Sequence, residues 1–513
     1  MIDLEKIFAG TEKVNIEVKS AQGGIPNSIW ETYSSFANTF GGTIVLGIGE
    51  DKNTKKFVPV GVSEPQKMLS DIWNILNNRQ KVSANILLEE QVYVLEYDGL
   101  NYIVLEIPRA DRRDKPIFVG TDMFRGAFKR NHEGDYHCTK EDVKAMIRDQ
   151  SDTSPDSLVL DKVSIDALNA DSIKSYRLRF KNIREAHVWN KLPTDQFLIK
   201  IGAAKISDVD GKIHPTLGGL IFFGDFINIM YELPNFFLDY RERLSNETRW
   251  SDRVCSGDGD WSGNVFDFYY RIIDRLTADV KRPFLLDDKL TRIDDTPIHK
   301  GLRECLANAL IHADYYGRRG IVIDKEFRKI TISNPGTFRV DINAAIAGGI
   351  SDVRNSVIFN MFSLINVGER SGVGLCDVYN AWKANGYKEP EFVEMVDPDR
   401  ITLTLQIESV NADGSNGTRT GENDSVGTNN GTKTEENDSV GVKSDVKVGT
   451  KLSENEKAVY NCIQLNNDIT TKAISDDLGI SLRTVQRCLT VLKENGLVLR
   501  EGSKTNGRWV ILK

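Results

Sequence analysis

Apolar and polar positions along the 513-residue chain change their rhythm several times, and each change predicts an element or a border. Near the N-terminus, runs of strand character fall at 14–19, 42–48, 91–97 and 101–108, and helical periodicity falls at 29–40, 64–77 and 140–148. This mixture predicts an α/β domain over 1–150. The polar, Pro-containing stretch 149–156 (DQSDTSPD) predicts its border. A connecting α/β region, 151–281, has a helical pattern at 172–184 and an apolar run at 217–223 that predicts a buried strand; it carries no chemical motif. A third module is predicted over 282–409. Residues 410–450 contain almost no large apolar side chain and hold a polar unit, GTRTGENDSVG, repeated 14 positions later as GTKTEENDSVG. Such a stretch buries too little to offset chain entropy, so a disordered tether with a reach of roughly 35 Å is expected.

The last segment, 451–513, reads as three helices and a hairpin. Ser453 and Glu456 predict a capping box for a helix at 452–465. A second helix is predicted at 471–478 and a third at 482–495, with Gly479-Ile480-Ser481 as the turn between them. Two strands flank GSKTNGR. This order predicts a winged helix-turn-helix. Val485, Leu489 and Leu492 form the third helix's apolar stripe, which leaves Arg483, Thr484, Gln486 and Arg487 on its solvent side. Arg and Gln pair with base edges in the major groove, and Lys504 and Arg508 on the wing are placed to meet phosphates.

Composition sharpens this picture. The chain has 66 Lys+Arg against 74 Asp+Glu, a formal net charge of −8, yet from Thr471 onward eight Lys/Arg face four Asp/Glu. A uniformly basic nucleic-acid coat is therefore excluded, while a local basic module is not. No run of 18 apolar residues predicts a membrane span, and the first residues lack the pattern of a signal peptide. Six widely spaced cysteines without a C-x-x-C pair fit free thiols in a cytoplasmic chain.

Candidate chemistry sits in the third module. In GLRECLANALIHADYY (301–316), Glu304, Asn308 and His312 recur every fourth position on one helical face, beside an apolar stripe of Leu302, Leu306, Ala309, Leu310 and Ala313. An amide oxygen is a hard ligand for Mg²⁺, and a carboxylate can accept a proton from water; a solvated polar face is the alternative reading of the same row. Two strands, an Asn334-Pro335-Gly336 turn and GERSGVGL (368–375) before a helix follow. Glycines before a helix let backbone N–H groups approach phosphates. No G-x-x-x-x-G-K-[ST] loop occurs in the chain.

Residues 297–405, with N-A-L-x-H-A-D-Y, N-P-G, Arg354-Asn355 and E-R-S-G-V-G-L, resemble the GHKL (Bergerat-fold) ATPase superfamily, in its divergent branch often named RecG-like C-terminal or divergent AAA. The resemblance implies an α/β sandwich that binds ATP and Mg²⁺. It makes Glu304 the water-activating residue and Asn308 the metal ligand. His312, Asn334, Gly336, Arg354, Gly372 and Gly374 would surround the nucleotide. Where the wider superfamily places an Asp against the adenine amino group, this chain has Asn334, an uncharged acceptor.

The block Ala37-Asn38-Thr39-Phe40-Gly41-Gly42-Thr43, followed by Gly47-Ile48-Gly49-Glu50-Asp51, resembles the Schlafen AlbA-type domain over roughly residues 4–148. The resemblance implies nucleic-acid contact. In nuclease-active Schlafen proteins acidic groups hold a metal that cuts RNA, and Glu12, Glu17, Lys19 and Asp51 match that arrangement; the alternative is a structural Glu17–Lys19 pair and an Asp51 turn. Arg125, Lys129, Arg130 and His132 form a basic strip that either contacts nucleic acid or is simply solvated.

The expected fold is thus multidomain α/β and α+β: a Schlafen AlbA-type domain, a GHKL-like sandwich and a winged helix. The whole resembles a bacterial family of transcriptional regulators. The expected function is nucleotide-responsive DNA binding by a homodimer or higher homo-oligomer. The alternative is an ATP-gated, metal-dependent nuclease acting on RNA or DNA, for instance in phage defence.

Overall fold

The computed structural model describes residues 2–8, 15–51, 54, 56–132, 134–243, 250–278, 280, 295–368, 374–407, 459–460, 462–463, 470–478, 481–494, 498–501 and 508–511. The expected tether at 410–450 lies outside the described residues. Two compact units are present, Met1–Gly417 and Thr418–Lys513.

In the first unit the N-terminal sheet has four strands in the order Ile16–Lys19, Gly42–Leu46, Leu100–Ile107, Val92–Tyr97. The first pair is parallel and the others antiparallel. Ser28–Asn38 is the helix that covers it, with Ile29, Tyr33, Phe36 and Ala37 buried. Gly41 ends that connection at φ +76°, and a Cβ there would sit 2.7 Å from the carbonyl oxygen of Ile107, so the turn requires glycine.

The second sheet has six strands: Asp252–Cys255, Leu238–Arg243, Ile321–Glu326, Lys329–Pro335, Asp399–Gln406 and Glu391–Val396, in that order. All neighbours are antiparallel except Leu238–Arg243 with Ile321–Glu326. Helices Val265–Thr277, Pro297–His312 and Gly374–Ala384 belong to the same apolar core through Phe268, Ile272, Leu302, Leu306 and Trp382. The sheet therefore draws strands from both sides of the expected border at 281/282. Leu238 and Tyr240 are fully buried in the core that holds Ile323 and Leu405, and a sheet cannot be divided across a hydrogen-bonded strand pair.

The run 217–223 is a helix, Leu217–Phe223, and not the expected strand. Thr216 caps it, its Oγ1 accepting from Gly219 N at 3.0 Å. All seven residues are buried, and a helix buried on every side has no polar stripe to betray its period. A Cβ on Gly219 would approach the carbonyl oxygen of Ala203 to 1.9 Å, so this helix needs its glycine for close packing.

The stretch 149–156 is exposed over 150–153 but anchored at both ends, at Asp149 and at buried Asp156. Asp149, in the last turn of the helix Lys140–Gln150, pairs with Arg354 and Arg339. Asp156, 1% exposed, accepts the backbone N–H groups of Val357 and Ile358 at 2.9 Å each, which caps the helix Ser356–Leu364 from a distant part of the chain.

In the second unit, helices Thr471–Leu478 and Leu482–Glu494 and the antiparallel pair Val498–Glu501 and Arg508–Ile511 are described. Helical residues 459, 460, 462 and 463 contribute Val459 and Ile463 to the core formed with Val485, Leu489, Leu492, Val498 and Trp509. The expected capping box at Ser453 and Glu456 lies outside the described residues.

Candidate functional site

The helix Pro297–His312 brings Glu304, Asn308 and His312 to one pocket, a cavity of about 130 Å³. Thr296 starts the helix by accepting from His299 N, and Pro297 follows it at the first helical position. The 301–316 pattern ends as helix at His312, after which Ala313 to Tyr316 turn back toward the sheet. Asn308 Nδ2 donates to Glu304 Oε1 at 3.1 Å, so the pair is ordered and Asn308 Oδ1 remains as an acceptor. The row is neither a solvated face nor a packing residue set: it lines the cavity beside Ile332, Ile401 and Leu403.

Gly374 opens the helix Gly374–Ala384 against this row. A Cβ there would meet Glu304 Oε1 at 2.1 Å and Cδ at 2.8 Å, so the carboxylate occupies the space the glycine leaves. Burial, then the guanidinium groups of Arg354 and Arg339, pull His312 down to about 4, so its imidazole is neutral at physiological pH. Asn334 is 6% exposed and lines the same cavity near the end of the strand Lys329–Pro335.

Two expected ligand residues have structural duties. Arg354 is 3% exposed and committed to protein: it donates to both carboxylate oxygens of Asp149, at 3.0 and 2.8 Å, and to the backbone oxygens of His312 and Thr337. Gly336, at φ +105°, leaves the space Arg354 fills, since a Cβ would lie 2.6 Å from its Nη1. Gly372 lies outside the described residues.

The N-terminal acidic set is held differently from a metal centre. Glu17 pairs with Lys19 at 2.8 Å and with Arg130 at 3.3 Å. Asp51 Oδ1 accepts from Thr54 N at 2.8 Å and its own N–H donates to the carbonyl of Lys56, which makes it a turn residue. Among the described residues no group of three His, Cys, Asp or Glu is placed to hold a metal; Glu12 lies outside them. The basic strip is also divided. Lys129 is 7% and Arg130 5% exposed, paired with Asp142 and with Glu17 and Asp135, whereas Arg125 is solvent-exposed.

On the winged-helix unit, Arg483, Gln486 and Arg487 are exposed at i, i+3 and i+4 of one helical face, opposite buried Val485, Cys488, Leu489 and Leu492. Thr484 is half-buried and turned to capping: its Oγ1 and N–H both meet Ser481 Oγ, at 2.8 and 3.2 Å. Lys504 and the side chain of Arg508 lie outside the described residues.

Sequence reading missed the ion pairs that join the N-terminal domain to the sandwich. Arg109 donates to both oxygens of Glu394, at 2.7 and 2.8 Å, and to the carbonyl of Phe338. Arg112 pairs with Asp352, and Arg148 pairs with Asp314 at 2.8 Å. Each partner lies about 170 to 290 positions away in the chain, and no local pattern announces such a pair. Two of these contacts, at Phe338 and Asp352, and the Arg339–Asp149 pair described above are made by residues that also line the Glu304 cavity.

All six cysteines are free thiols. No helix among the described residues is long and apolar enough to cross a membrane.

Four family models match segments of the chain. They are "Schlafen, AlbA_2" over 12–151, "Domain of unknown function (DUF8451)" over 144–239, "Putative ATP-dependent DNA helicase recG C-terminal" over 323–405 and "Winged helix-turn-helix DNA-binding" over 452–498. No curated protein matches. Among solved structures, the DIP2311 protein from Corynebacterium diphtheriae is 14% identical, over 99% of this chain and 96% of that one, with a TM-score of 0.39. The N-terminal domain of a "Putative ATP-dependent DNA Helicase RecG-related Protein" from Nitrosomonas europaea is 28% identical, over 26% of this chain and 90% of that one, with a TM-score of 0.22. By its matched segments the chain carries a Schlafen AlbA_2 domain, a domain similar to the RecG C-terminal family and a C-terminal winged helix, in that order.

Proposed function

We propose that the protein is a DNA-binding transcriptional regulator whose operator affinity responds to a nucleotide held in the Glu304 cavity. The observation that carries this reading is the exposed Arg483–Gln486–Arg487 row on a helix whose opposite stripe is buried. It is the geometry of a helix that enters the major groove. The match to a DNA-binding winged-helix family supports it.

ATP and Mg²⁺ fit the cavity by donor chemistry. Asn334 offers an uncharged acceptor to an adenine amino group, between the apolar walls of Ile332, Ile401 and Leu403. Asn308 Oδ1 would serve as a hard oxygen for Mg²⁺, and the neighbouring Glu304 carboxylate would accept a proton from water. Bound Mg²⁺ neutralises phosphate charge. Neutral His312 adds no competing cation.

The response reaches the N-terminal domain through Phe338, Arg339 and Asp352, which line the cavity and also hold Arg109, Asp149 and Arg112. A homodimer would present two recognition helices to half-sites about 34 Å apart.

The test is DNA selected in vitro against the full chain, titrated with and without ATP and Mg²⁺ at fixed salt. Sequence-specific binding that shifts about 5-fold to 150-fold with ATP is expected. Binding that does not distinguish sequences, or that ignores ATP, overturns the reading. Gly374→Ala gives a second check. The backbone tolerates alanine at a helix start, so the thermal midpoint should hold within a few degrees, while displacement of Glu304 should lower ATP turnover by at least about tenfold. Equal turnover in the two chains would remove Glu304 from the chemistry.

A further inference from the structure

The N-terminal domain and the sandwich enclose a second cleft, of about 1010 Å³. It touches the Glu304 cavity at residues 337–340 and 350–352, but most of its wall is separate. That size lies at the upper end of ordinary ligand sites. Most charges on the wall are matched: Arg109 with Glu394, Arg112 with Asp352, and Lys129 with Asp142.

Asp111 and Asp341 accept from backbone N–H groups at 2.9 Å each, and Lys115 and Asp399 also stand outside the ion pairs. Lys115 is 9% exposed, and its Nζ donates to the carbonyl of Asn38 at 2.8 Å. An ammonium has three donors, so two remain. Across the domain border, the Asp399 carboxylate receives no hydrogen bond or ion pair among the described residues, and no ion pair joins it to Lys115. Burial, then Arg109, brings Lys115 down to about 7; burial, then Asp142, raises Asp399 to about 7. Each group is thus desolvated without a full partner, a costly arrangement unless something else completes it.

Beside them stands an aromatic side chain that packing does not explain. Phe40 lines the cleft and is 51% exposed, with the Arg109 guanidinium 6.0 Å from its ring centre. Its placement is fixed on both sides: Thr39 Oγ1 donates to Ser35 O at 2.6 Å, and Gly41 N donates to Phe36 O at 2.8 Å. The A-N-T-F-G-G-T block thereby gains a local role, presenting Phe40 and the Asn38 carbonyl to the cleft.

We propose that this cleft binds a nucleobase-bearing ligand of nucleoside size, its ring stacked on Phe40 and its edge bridging Lys115 and Asp399. A nucleobase presents a flat π face together with adjacent donor and acceptor atoms, the three features this wall asks for. Carboxylates outnumber cations among the lining residues, which disfavours a polyphosphate here and separates this site from the ATP cavity. A ligand held by both modules would bias how they engage.

The test is isothermal titration of the full chain with adenosine, guanosine, cytidine and uridine, each to millimolar concentration. The same series is run on Asn334→Leu, which blocks the adenine position of the other cavity, and on Phe40→Ala. Phe40 is a surface residue, so its variant should fold normally; Lys115→Met is a third arm. At least one nucleoside should bind, should still bind Asn334→Leu, and should weaken by at least about tenfold with Phe40→Ala. No binding by any of the four, or binding lost in Asn334→Leu and kept in Phe40→Ala, overturns the proposal. Because the Asn334→Leu arm removes the ATP cavity, failure of ATP binding there leaves this result readable.

Discussion

A chain carrying Arg483→Ala with Arg487→Ala should lose sequence-specific DNA binding. Arg483 and Arg487 are exposed on one face of the helix Leu482–Glu494, and neither belongs to its core. A bidentate Arg–guanine pair contributes about 1–3 kcal/mol of discrimination. Two such pairs amount to roughly 2–6 kcal/mol, or about 30-fold to 10⁴-fold in operator affinity. Because the core stripe of Val485, Cys488, Leu489 and Leu492 is untouched, the thermal midpoint of the unit should not move. Mobility-shift titration at two salt concentrations separates the effects. Loss confined to the selected site marks base readout, whereas uniform loss with a shallower salt slope marks phosphate contact. Unchanged operator affinity at fixed salt would remove the recognition helix from the proposed function.

The second large effect is on stability. Asp149 is the shared counter-ion of two buried cations, Arg354 at 2.8 Å and Arg339 at 3.2 Å. Asp149→Ala leaves the buried Arg354 without its carboxylate partner and leaves Arg339 with Asp352 alone. Breaking a buried pair in this way costs about 3–5 kcal/mol. Asp149→Asn should cost less, because an amide oxygen still accepts from Arg354. Urea unfolding of the two variants against the parent chain measures the difference, and a loss under about 0.5 kcal/mol for Asp149→Ala would show that these ion pairs are not stabilising contacts. The pH dependence has a definite sign. Burial by itself raises the Asp149 carboxyl, but Arg354 and Arg339 outweigh it and hold the group below its ordinary value. Its folded pKa is therefore lower than its unfolded one, near 3.9. The contribution is complete above about pH 4 and fades as pH falls through the folded value. Asp149→Ala should flatten stability against pH in that acid range.

The two predictions differ in how visible their residues were in the sequence. Arg483, Gln486 and Arg487 are legible because a helix maps spacing onto faces: three positions and a core stripe fix which side chains meet solvent. Glu304, Asn308 and His312 are legible for the same reason, and the structure does bring them to one cavity. Arg354 was also placed at the nucleotide, and it does line that cavity, but its guanidinium is occupied by Asp149, more than 200 positions earlier. Glu17 and Lys19 were legible as neighbours on a strand. That Arg130 would also reach Glu17, and turn candidate metal ligands into an ion-pair cluster, was not.

The sequence by itself determined the order of modules, the helices and strands of the N-terminal domain and of the winged helix that have a regular period, the row of chemistry on the Glu304 helix and the solvent-facing row of the winged helix. These depend on interactions among residues a few positions apart. Tertiary structure decided the rest. It made 217–223 a helix, joined 238–255 to a sheet expected to begin after 281, and anchored the polar stretch 149–156 at its two ends through Asp149 and Asp156. It also created the cleft where Lys115 and Asp399 face a common space. The physical reason is the range of the forces. Periodicity records which face of one element is buried, but charge pairing and cavity shape depend on which elements meet, and that is settled only when distant segments pack.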